Sequence, residues 1–302
     1  ANNLGMYFIN VSGTNFVQSS KVICLSNNSQ QAQLSYNEQT TGILPEKSYK
    51  SGNSKDFSFT VGDILKLKGI SGDYTSVMTV EPTSSGTYTF NFVTCTDGDG
   101  NNYAVVKIGG QTWMAENIKT TSYTNSDAIP LVTDNTEWGN LEDNDTDKAY
   151  CFYDNDEGNA DIYGALYTYA AATNGDNSGT GVQGVCPTGW HVPSDAEWIE
   201  LTDYLDGTNV AGGKMKETGT THWSNPNTGA TNESGFSALP GGMRYNNSAG
   251  TFINASLYGN WWSATEDDSS LAWNRSLYYD DVDMYRANSF KSSGFSVRCV
   301  RD

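Results

Sequence analysis

Short stretches of alternating apolar and polar residues dominate the first third of the chain. Phe57–Val61, Ile64–Leu67 and Thr87–Phe92 follow this pattern, and Gly, Ser, Asp and Pro residues are frequent between them. Alternation with a period of two puts every second side chain on one face, which is typical of half-buried β-strands. Several short strands at this spacing predict that residues 1–95 form an all-β sandwich.

The remainder of the chain mixes strands with two predicted helices, and the boundary lies at the turn-forming run Asp97–Asn101. From Ile162 to Tyr169, apolar residues recur at positions i, i+3, i+4 and i+7, which predicts a helix with one buried stripe. A second helix is predicted from Ser194, which opens an S-x-x-E capping box, to Gly207. Short strands and polar loops return beyond it. Residues 96–302 are therefore predicted to form an α+β domain.

The C-terminal stretch Gly259–Asp302 combines tryptophans with tyrosines and many small polar residues. Tyr provides a large, rigid contact area and Ser and Asn provide adaptable hydrogen bonds, so this mixture is typical of a binding surface. A solvated loop of ordinary composition is the alternative. The predicted ligand-binding residues are Asp267, Asp268, Ser269, Ser270, Asn274, Ser276, Tyr278, Tyr279, Asp280, Asp281, Asp283, Tyr285, Asn288, Phe290 and Ser292.

A rigid aromatic core is expected to hold these side chains so that they point outward together. Buried aromatic side chains each remove roughly 150–250 Å² from water, and a stiff scaffold tolerates variation on loops that carry no packing. The residues expected in this core are Trp190, Trp198, Trp261, Trp262, Trp273 and Phe295.

Composition narrows the class of protein. The 302 residues carry a formal net charge of −18, with only 17% charged residues and 37% hydrophobic ones. A strongly negative field repels phosphate backbones and anionic lipids, which argues against nucleic-acid or membrane-surface partners. No apolar run reaches the ~18 residues of a transmembrane segment. Few charges with abundant Gly, Asn, Ser, Thr and Tyr favour an extracellular, turn-rich protein.

Five cysteines stand at positions 24, 95, 151, 186 and 299, and no two of them form a C-x-x-C motif. A zinc site is therefore not expected. We expect a disulfide between Cys186 and Cys299, because each lies beside an aromatic motif that looks buried and the bridge would attach the last strand to the core. Two buried free thiols are the alternative.

Two acidic segments raise the question of calcium, whose preferred ligands are oxygens. In Asp97–Asn101 the spacing Asp-x-Asp-x-Asn fits a calcium loop, but an EF-hand requires Gly and Glu where Asn102 and Ile108 stand, so a hairpin turn is preferred. Glu142–Asp147, with Asp154, Asp156 and Glu157 downstream, is the densest group of carboxylates. A solvated loop is the simpler interpretation there. Calcium stays an alternative, and no other cofactor is expected.

Catalytic chemistry has few candidates. The only histidines are His191, flanked by Trp190 and Val192, and His222 in a polar loop. These settings favour a packed, structural histidine and a surface histidine over a general base. No GxSxG, HExxH or phosphate-binding glycine motif is present.

Several long motifs, in order along the chain, resemble the Fibrobacter succinogenes major paralogous domain. They are Tyr103–Asn117 (YAVVKIGGQTWMAEN), Cys186–Ser194 (CPTGWHVPS), Leu239–Gly242 (LPGG), Trp261–Glu266 (WWSATE) and Gly294–Val300 (GFSVRCV). The resemblance implies a C-type lectin-like fold, in the branch related to formylglycine-generating enzymes. It also implies a secreted or surface-anchored protein of the kind found in Bacteroidetes and Fibrobacteres.

Two further implications follow from resemblance. Some members of this broader fold are diversified by retroelements at ligand-facing positions, and the composition between Glu266 and Lys291 is similar to such a variable region. The run Gly86–Asp97 resembles the last strand of immunoglobulin-like modules. The oxidases of the fold need a specific pair of cysteines near the C-terminal site, and no second cysteine lies near Cys299 in sequence.

The sequence therefore predicts a secreted or cell-surface adhesion protein that recognises a protein or a glycan through its C-terminal surface, for example at a pilus tip. One alternative is an oxidase of the formylglycine-generating type or a glycan-active enzyme. Another is a structural subunit that assembles with other pilus or envelope subunits.

Overall fold

The chain divides into two compact units. The first comprises Ala1–Thr94 with Ala104–Val106, and the second comprises Cys95–Tyr103 with Lys107–Asp302. The described elements are strands and a few short helices, so the protein is of mixed α+β class with strands predominating. The computed structural model describes residues 6–13, 16–23, 31–36, 61, 64–84, 86–246 and 249–302.

The described elements of the first unit are strands: β1 (Met6–Gly13), β2 (Phe16–Ile23), β3 (Gln31–Tyr36), β4 (Leu65–Ser71), β5 (Tyr74–Val80) and β6 (Gly86–Asn91). An antiparallel sheet has the order β2–β1–β4–β5, and Ala104–Val106 pair in parallel with β5. Strands β3 and β6 form a separate antiparallel pair.

Buried residues alternate along β4, as its sequence pattern predicts. Leu65 and Leu67 are buried, and the residues between and beside them are partly exposed. The buried ring of Phe90 on β6 packs against Gly69 of β4, where a Cβ atom would stand only 2.8 Å from the ring. The strands predicted around positions 64–67 and 87–92 are confirmed. Residues 57–60, in the third predicted strand, lie outside the described residues.

The described part of the second unit has five short helices and most of the remaining strands. After β7 (Ala104–Ile108), they follow in the order β8 (Gln111–Met114), α1 (Asn135–Gly139), β9 (Tyr150–Cys151), α2 (Ala160–Tyr163), β10 (Leu166–Tyr167), α3 (Tyr169–Thr173), β11 (Trp190–His191), α4 (Asp195–Tyr204), α5 (Thr208–Met215), β12 (Gly241–Arg244), β13 (Phe252–Ala255), β14 (Tyr258–Glu266), β15 (Leu271–Tyr278), β16 (Tyr285–Phe290) and β17 (Val300–Arg301). Two 3-10 turns, Tyr153–Asn155 and Glu157–Asn159, precede α2.

The largest sheet of this unit has the strand order β13–β12–β14–β15–β16. Its pairs are antiparallel except β12 with β14, which run parallel. Strand β17 joins β8 on one side and β11 on the other, both antiparallel, and β9 pairs with β10. No helix in the described part of the chain is long and apolar enough to cross a lipid bilayer.

The helix predicted from Ser194 is confirmed. The Ser194 hydroxyl accepts from the backbone N–H of Glu197, and the Glu197 carboxylate accepts from the backbone N–H of Ser194, which completes the capping box. Helix α4 ends at Tyr204. Beyond it, the expectation of strands and loops was wrong only for Thr208–Met215, which form a further helix, α5, with Gly207 at its N-cap; β12 to β17 and their connecting loops follow.

The single helix predicted from Ile162 to Tyr169 was wrong. Gly164 has a φ of 74°, in the left-handed region that ends a helix, and a Cβ at this position would lie 2.6 Å from the carbonyl oxygen of Ile118. The apolar residues at the end of the stretch form β10, which pairs with β9. Apolar spacing of three and four residues thus arose from two short helices with a strand between them.

Aromatic rings fill the core of the second unit. The Trp113 and Trp198 ring centroids are 4.7 Å apart, and Phe236 lies 5.9 Å from both and 6.2 Å from Trp261. The Trp262 ring is 4.5 Å from that of Phe295. The predicted aromatic core is confirmed except at one position: Trp190, Trp198, Trp261, Trp262 and Phe295 are buried, whereas Trp273 is half-buried.

A disulfide joins Cys186 to Cys299, as expected. The bridge connects residues 113 positions apart, with a Cα–Cα distance of 5.9 Å, and attaches the segment before β17 to the segment before β11. Cys95 and Cys151 are buried free thiols, and Cys24 lies outside the described residues.

Candidate functional site

Strand register decides which predicted ligand-binding residues share a face of the five-stranded sheet. Directly opposite residues of antiparallel strands project to the same side, and neighbours along a strand project to opposite sides. Tyr258 lies opposite Tyr278, and Ser276 lies opposite Tyr285. Tyr258, Tyr278 and Tyr285 therefore project from one side, which we call the tyrosine face. Asn274 is on this face too.

Arg275 and Arg286 are opposite each other on the reverse side, where both bind Asp195 at the start of α4. We call this side the helix face. Asn288 and Phe290 belong to it, opposite Trp273 and Leu271 respectively. Period-two alternation thus divides the predicted ligand-binding residues between two sides of the sheet.

The predicted residues are also divided between two ends of the sheet. Residues 267–270 connect β14 to β15, and residues 279–284 connect β15 to β16 at the other end. Strand β15 has eight residues, so these two turns are separated by about 25 Å at a rise of ~3.3 Å per residue. The predicted set therefore does not form one continuous surface.

Solvent exposure separates the predicted residues further. Exposed are Asp267, Asp268, Ser269, Asp280, Asn288 and Phe290; half-buried are Ser270, Tyr278, Tyr279, Asp281, Asp283 and Tyr285; buried are Asn274, Ser276 and Ser292. The expectation that all of them point outward was wrong for the last three.

The buried residues have structural partners. The Ser276 hydroxyl donates to the Asn260 side-chain carbonyl at 2.8 Å, and the Asn274 amide donates to the Ser289 hydroxyl at 2.9 Å. These bonds link β14, β15 and β16 to one another. The Ser292 hydroxyl donates to Asp143 at 2.6 Å. Hydrogen bonding within the protein accounts for these small polar residues, because buried polar groups need such partners.

The three tyrosines of the tyrosine face form a continuous stack of rings. The ring centroids of Tyr258 and Tyr278 are 4.4 Å apart with the planes tilted by 41°, and those of Tyr278 and Tyr285 are 4.6 Å apart with 25° between the planes. All three side chains are half-buried. We call this group the tyrosine stack. Tyr258 was not among the predicted residues, because its place beside Tyr278 depends on a strand pairing that the sequence does not display.

Carboxylates surround the turn that follows Tyr278. The Tyr285 hydroxyl donates to Asp281, and this hydrogen bond raises the pKa of Tyr285 to about 12. The Asp281 carboxylate also accepts from the backbone N–H groups of Val282 and Asp283. Asp280 is exposed at the same turn. Aromatic rings and carboxylates are therefore adjacent at this end of the tyrosine face.

A buried lysine, Lys216, is hydrogen-bonded to the backbone of the turn that follows Tyr278. The Lys216 ammonium donates to the backbone carbonyls of Thr228 at 3.0 Å, Tyr278 at 2.9 Å and Asp281 at 2.6 Å. Its side chain is fully buried, and this burial lowers the pKa of Lys216 to about 8, against the opposing effect of Asp281 and Asp280. No sequence pattern singled out Lys216, because its partners are backbone atoms of distant segments.

Helix α5 supports the same turn at a glycine pair. The Gly213 N–H donates to the Val282 carbonyl at 2.9 Å. A Cβ on Gly212 would lie only 2.2 Å from the carbonyl oxygen of Asp283. The absence of side chains therefore allows the helix backbone to approach the turn. Together with Lys216, this contact makes residues 278–283 a supported turn.

On the helix face, Asp195 bridges two arginines. Arg275 donates to its carboxylate at 2.8 Å. Arg286 donates to the same carboxylate from both Nε and Nη2, and its guanidinium lies 3.3 Å from the centroid of the Trp273 ring. Burial opposes ionisation of this carboxylate, but the hydrogen bonds from Arg286 and Arg275 outweigh it and lower the pKa of Asp195. The bridge attaches β15 and β16 to α4.

At the far end of the sheet, the predicted acidic cluster is tied to the protein itself. Buried Lys291 donates to Asp145 at 2.8 Å and to Glu266, and the backbone N–H of Glu142 donates to Asp147. Two carboxylates of this end thus neutralise a lysine.

The Asp97–Asn101 segment forms a turn, as expected. The Asp97 carboxylate accepts from the backbone N–H groups of Asp99 at 3.0 Å and Asn101 at 2.9 Å. Across the residues with assigned positions, no three or more His, Cys, Asp or Glu side chains are grouped to hold a metal ion.

Both histidines bind carboxylates. His191 contacts Asp302 through Nδ1 at 2.6 Å and Glu197 through Nε2 at 2.7 Å. Burial favours its neutral ring, but the hydrogen bonds to Glu197 and Asp302 outweigh burial and raise the pKa of His191. His222 contacts Glu217 at 2.6 Å. With both ring nitrogens engaged, His191 is suited to structural bonding.

Comparison with known proteins identifies the second unit. No curated protein and no solved structure matches the chain significantly. The sequence model of the Fibrobacter succinogenes major domain matches residues 106–301, the region that contains the aromatic core, the disulfide and the tyrosine stack. The chain belongs to the Fibrobacter succinogenes major domain family.

Proposed function

We propose that the protein is a secreted or cell-surface recognition protein, which binds a protein or a glycan ligand at the tyrosine stack. The observation that carries the proposal is the stack itself: three half-buried tyrosine rings in contact across three neighbouring strands. Tyr is favoured at binding surfaces because its ring presents large area with little entropy to lose and its hydroxyl forms hydrogen bonds.

The support beneath the stack favours this role over a solvated loop. The turn of residues 278–283 is bonded to Lys216 and to the glycine pair of α5, and β15 is held by Arg275. A rigid scaffold that presents partly exposed aromatic side chains binds without a large ordering penalty. The candidates retained from the predicted set are Tyr278, Tyr279, Asp280, Asp281, Asp283 and Tyr285, and the structure adds Tyr258 to them.

The finer architecture is part of the same proposal. We propose that residues 96–302 adopt a C-type lectin-like fold and that residues 1–95 form an immunoglobulin-like sandwich. The mixed α+β composition of the second unit and the all-strand composition of the described first unit support these assignments. Diversification of residues 267–290 by retroelements, and assembly with pilus or envelope subunits, rest on the resemblance alone.

An extracellular location is proposed on chemical grounds. Disulfides persist in oxidising compartments and are rare in the reducing cytosol. The bridge between Cys186 and Cys299 is wholly buried and connects distant parts of the family domain. The low content of charged residues points in the same direction.

The experiment is a glycan- and protein-array screen with the full chain, with and without calcium, followed by affinity measurements on variants. Tyr278→Ala removes the middle ring of the stack, and Tyr278→Phe keeps the ring but removes its hydroxyl. Tyr204→Ala is the matched control, because Tyr204 is 63% exposed on α4, away from the tyrosine face. Near-ultraviolet circular dichroism confirms that each variant is folded.

We expect Tyr278→Ala to weaken binding by at least tenfold, since a central aromatic contact contributes ~2 kcal/mol or more. Tyr278→Phe should have a smaller effect and Tyr204→Ala none. The proposal fails if folded Tyr278→Ala binds as tightly as the wild type, if the control weakens binding equally, or if neither array yields a ligand.

A further inference from the structure

Ring geometry limits what the tyrosine stack can offer a ligand. Tyr258 and Tyr285 lie on opposite sides of Tyr278, with centroids 4.4 and 4.6 Å from it. The middle ring therefore has a neighbouring ring on each side, one tilted by 41° and the other inclined by only 25°. What remains available is a row of ring edges and hydroxyls, together with the outer faces of the two end rings. A flat platform for stacking sugar rings would instead expose the faces of successive rings.

The charges at the same end of the sheet are mostly negative. Asp280, Asp281 and Asp283 follow directly after the middle tyrosine, and Asp280 is exposed. Lys216 lies behind the turn, fully buried, and its ammonium donates to three backbone carbonyls. This end of the sheet thus has three carboxylates and one buried ammonium. Because all three ammonium hydrogens are donated to backbone carbonyls, none is available to an anionic ligand.

The other basic residues of this region are already paired. Between positions 258 and 292 they are Arg275, Arg286 and Lys291. Both arginines bind Asp195 on the helix face, and the lysine binds Asp145 and Glu266 at the far end of the sheet. Within the described residues, none of these cations pairs with the carboxylates beside the tyrosine stack.

Electrostatic complementarity therefore selects the partner. We propose that the tyrosine stack and the carboxylates of Asp280, Asp281 and Asp283 form a docking surface for a basic segment of a partner protein, one that carries arginine or lysine side chains. This inference rests on the proposed function and specifies the chemistry of its ligand. A guanidinium or ammonium group binds carboxylates and lies favourably over the outer face of an aromatic ring. Complementary charge also steers a partner to the site.

The experiment uses the isotope-labelled full chain and three short peptides that are positively charged, neutral and negatively charged and differ at only two positions. Their common sequence is acetyl-Gly-X-Gly-Ser-Gly-X-Gly-amide, with Arg, Gln or Glu at both X positions. Binding is followed by two-dimensional NMR at low and at high salt, so that weak affinities and their location are both recorded.

Two double variants separate the docking surface from the general negative charge of the protein. Asp280→Asn with Asp283→Asn removes two carboxylates beside the stack. Glu200→Gln with Asp203→Asn removes two exposed carboxylates from α4 and changes the net charge by the same amount.

We expect the Arg peptide to bind more tightly than the Gln peptide, and the Glu peptide not to bind. The chemical-shift changes caused by the Arg peptide should be concentrated in residues 278–285 and should decrease at high salt. The variant beside the stack should weaken binding of the Arg peptide by about fivefold, and the α4 variant should leave it unchanged.

The inference is overturned if the Arg peptide does not bind, if the neutral peptide binds equally well, or if the two double variants weaken binding to the same extent. Failure here is distinguishable from failure of the proposed function. An array ligand that depends on Tyr278 but is a neutral glycan, unaffected by Asp280→Asn with Asp283→Asn, would leave the recognition role standing and remove the basic partner.

Discussion

Replacing Lys216 with methionine removes the ammonium group that donates to the turn of residues 278–283. Methionine has a similar length and no charge, so the change isolates the ionisation of the lysine. In the folded protein, burial lowers the pKa of Lys216 from 10.5 to about 8, although three backbone carbonyls accept its hydrogens. In the unfolded chain the ordinary value applies.

The sign of the effect follows from proton binding. Below pH 8 the lysine is charged in both states, and the folded protein carries the full unfavourable effect of burying the charge. Between pH 8 and 10.5 the unfolded chain binds more protons than the folded one, so stability rises with pH. At about 1.4 kcal/mol per pKa unit, the shift predicts a total rise of about 3 kcal/mol.

The assay is urea unfolding of the wild type and of Lys216→Met at several pH values from 7 to 10.5. The difference in free energy of unfolding between them should change by about 3 kcal/mol in favour of the wild type. Lys214→Met is the matched control, two residues earlier in the chain, in the last turn of α5. Hydrogen bonds from Lys214 to Asp206 and Glu233 raise the pKa of Lys214, so its contribution stays constant over this range. The reasoning would be refuted if the difference in free energy of unfolding between the wild type and Lys216→Met did not change with pH. Such a result would show that the three carbonyls compensate fully for burial of the ammonium group.

Three further predictions concern stability. Replacing Cys186 and Cys299 with alanine should lower the free energy of unfolding by about 5 kcal/mol, because the bridge spans 113 residues; an unchanged denaturation midpoint would contradict this. Gly212→Ala should destabilise the protein by about 2 kcal/mol, since the new Cβ would lie 2.2 Å from the Asp283 carbonyl oxygen. In an unconstrained helix the same change stabilises by about 1 kcal/mol, so urea unfolding decides between the two signs. Asp195→Asn should lower the free energy of unfolding at neutral pH. Because the folded pKa of Asp195 is lowered, the difference from the wild type should shrink as the pH falls below about 4. A difference unchanged at about pH 3 would contradict the role of the two arginines.

The features that sequence predicted correctly depend on residues close together or on long motifs. The capping box at Ser194 needs only Glu197 three residues away, and the alternation that predicted β4 is visible in the four residues Ile64–Leu67. The bridge between Cys186 and Cys299 was expected because both lie in aromatic motifs of the family domain. Local periodicity was insufficient where a glycine intervened, as Gly164 shows.

Composition of the C-terminal stretch indicated polar and aromatic side chains, but it could not indicate where each of them lies. Asn274 and Ser276 have the composition of a binding surface and are buried in hydrogen bonds between strands. Tyr258 lies just before the stretch whose composition predicted a binding surface, yet its ring completes the tyrosine stack. A single strand specifies which residues alternate; the register between strands, and the segments that cover each face, specify which of them reach solvent. Those relations join residues far apart in the chain, so only the tertiary structure decided them.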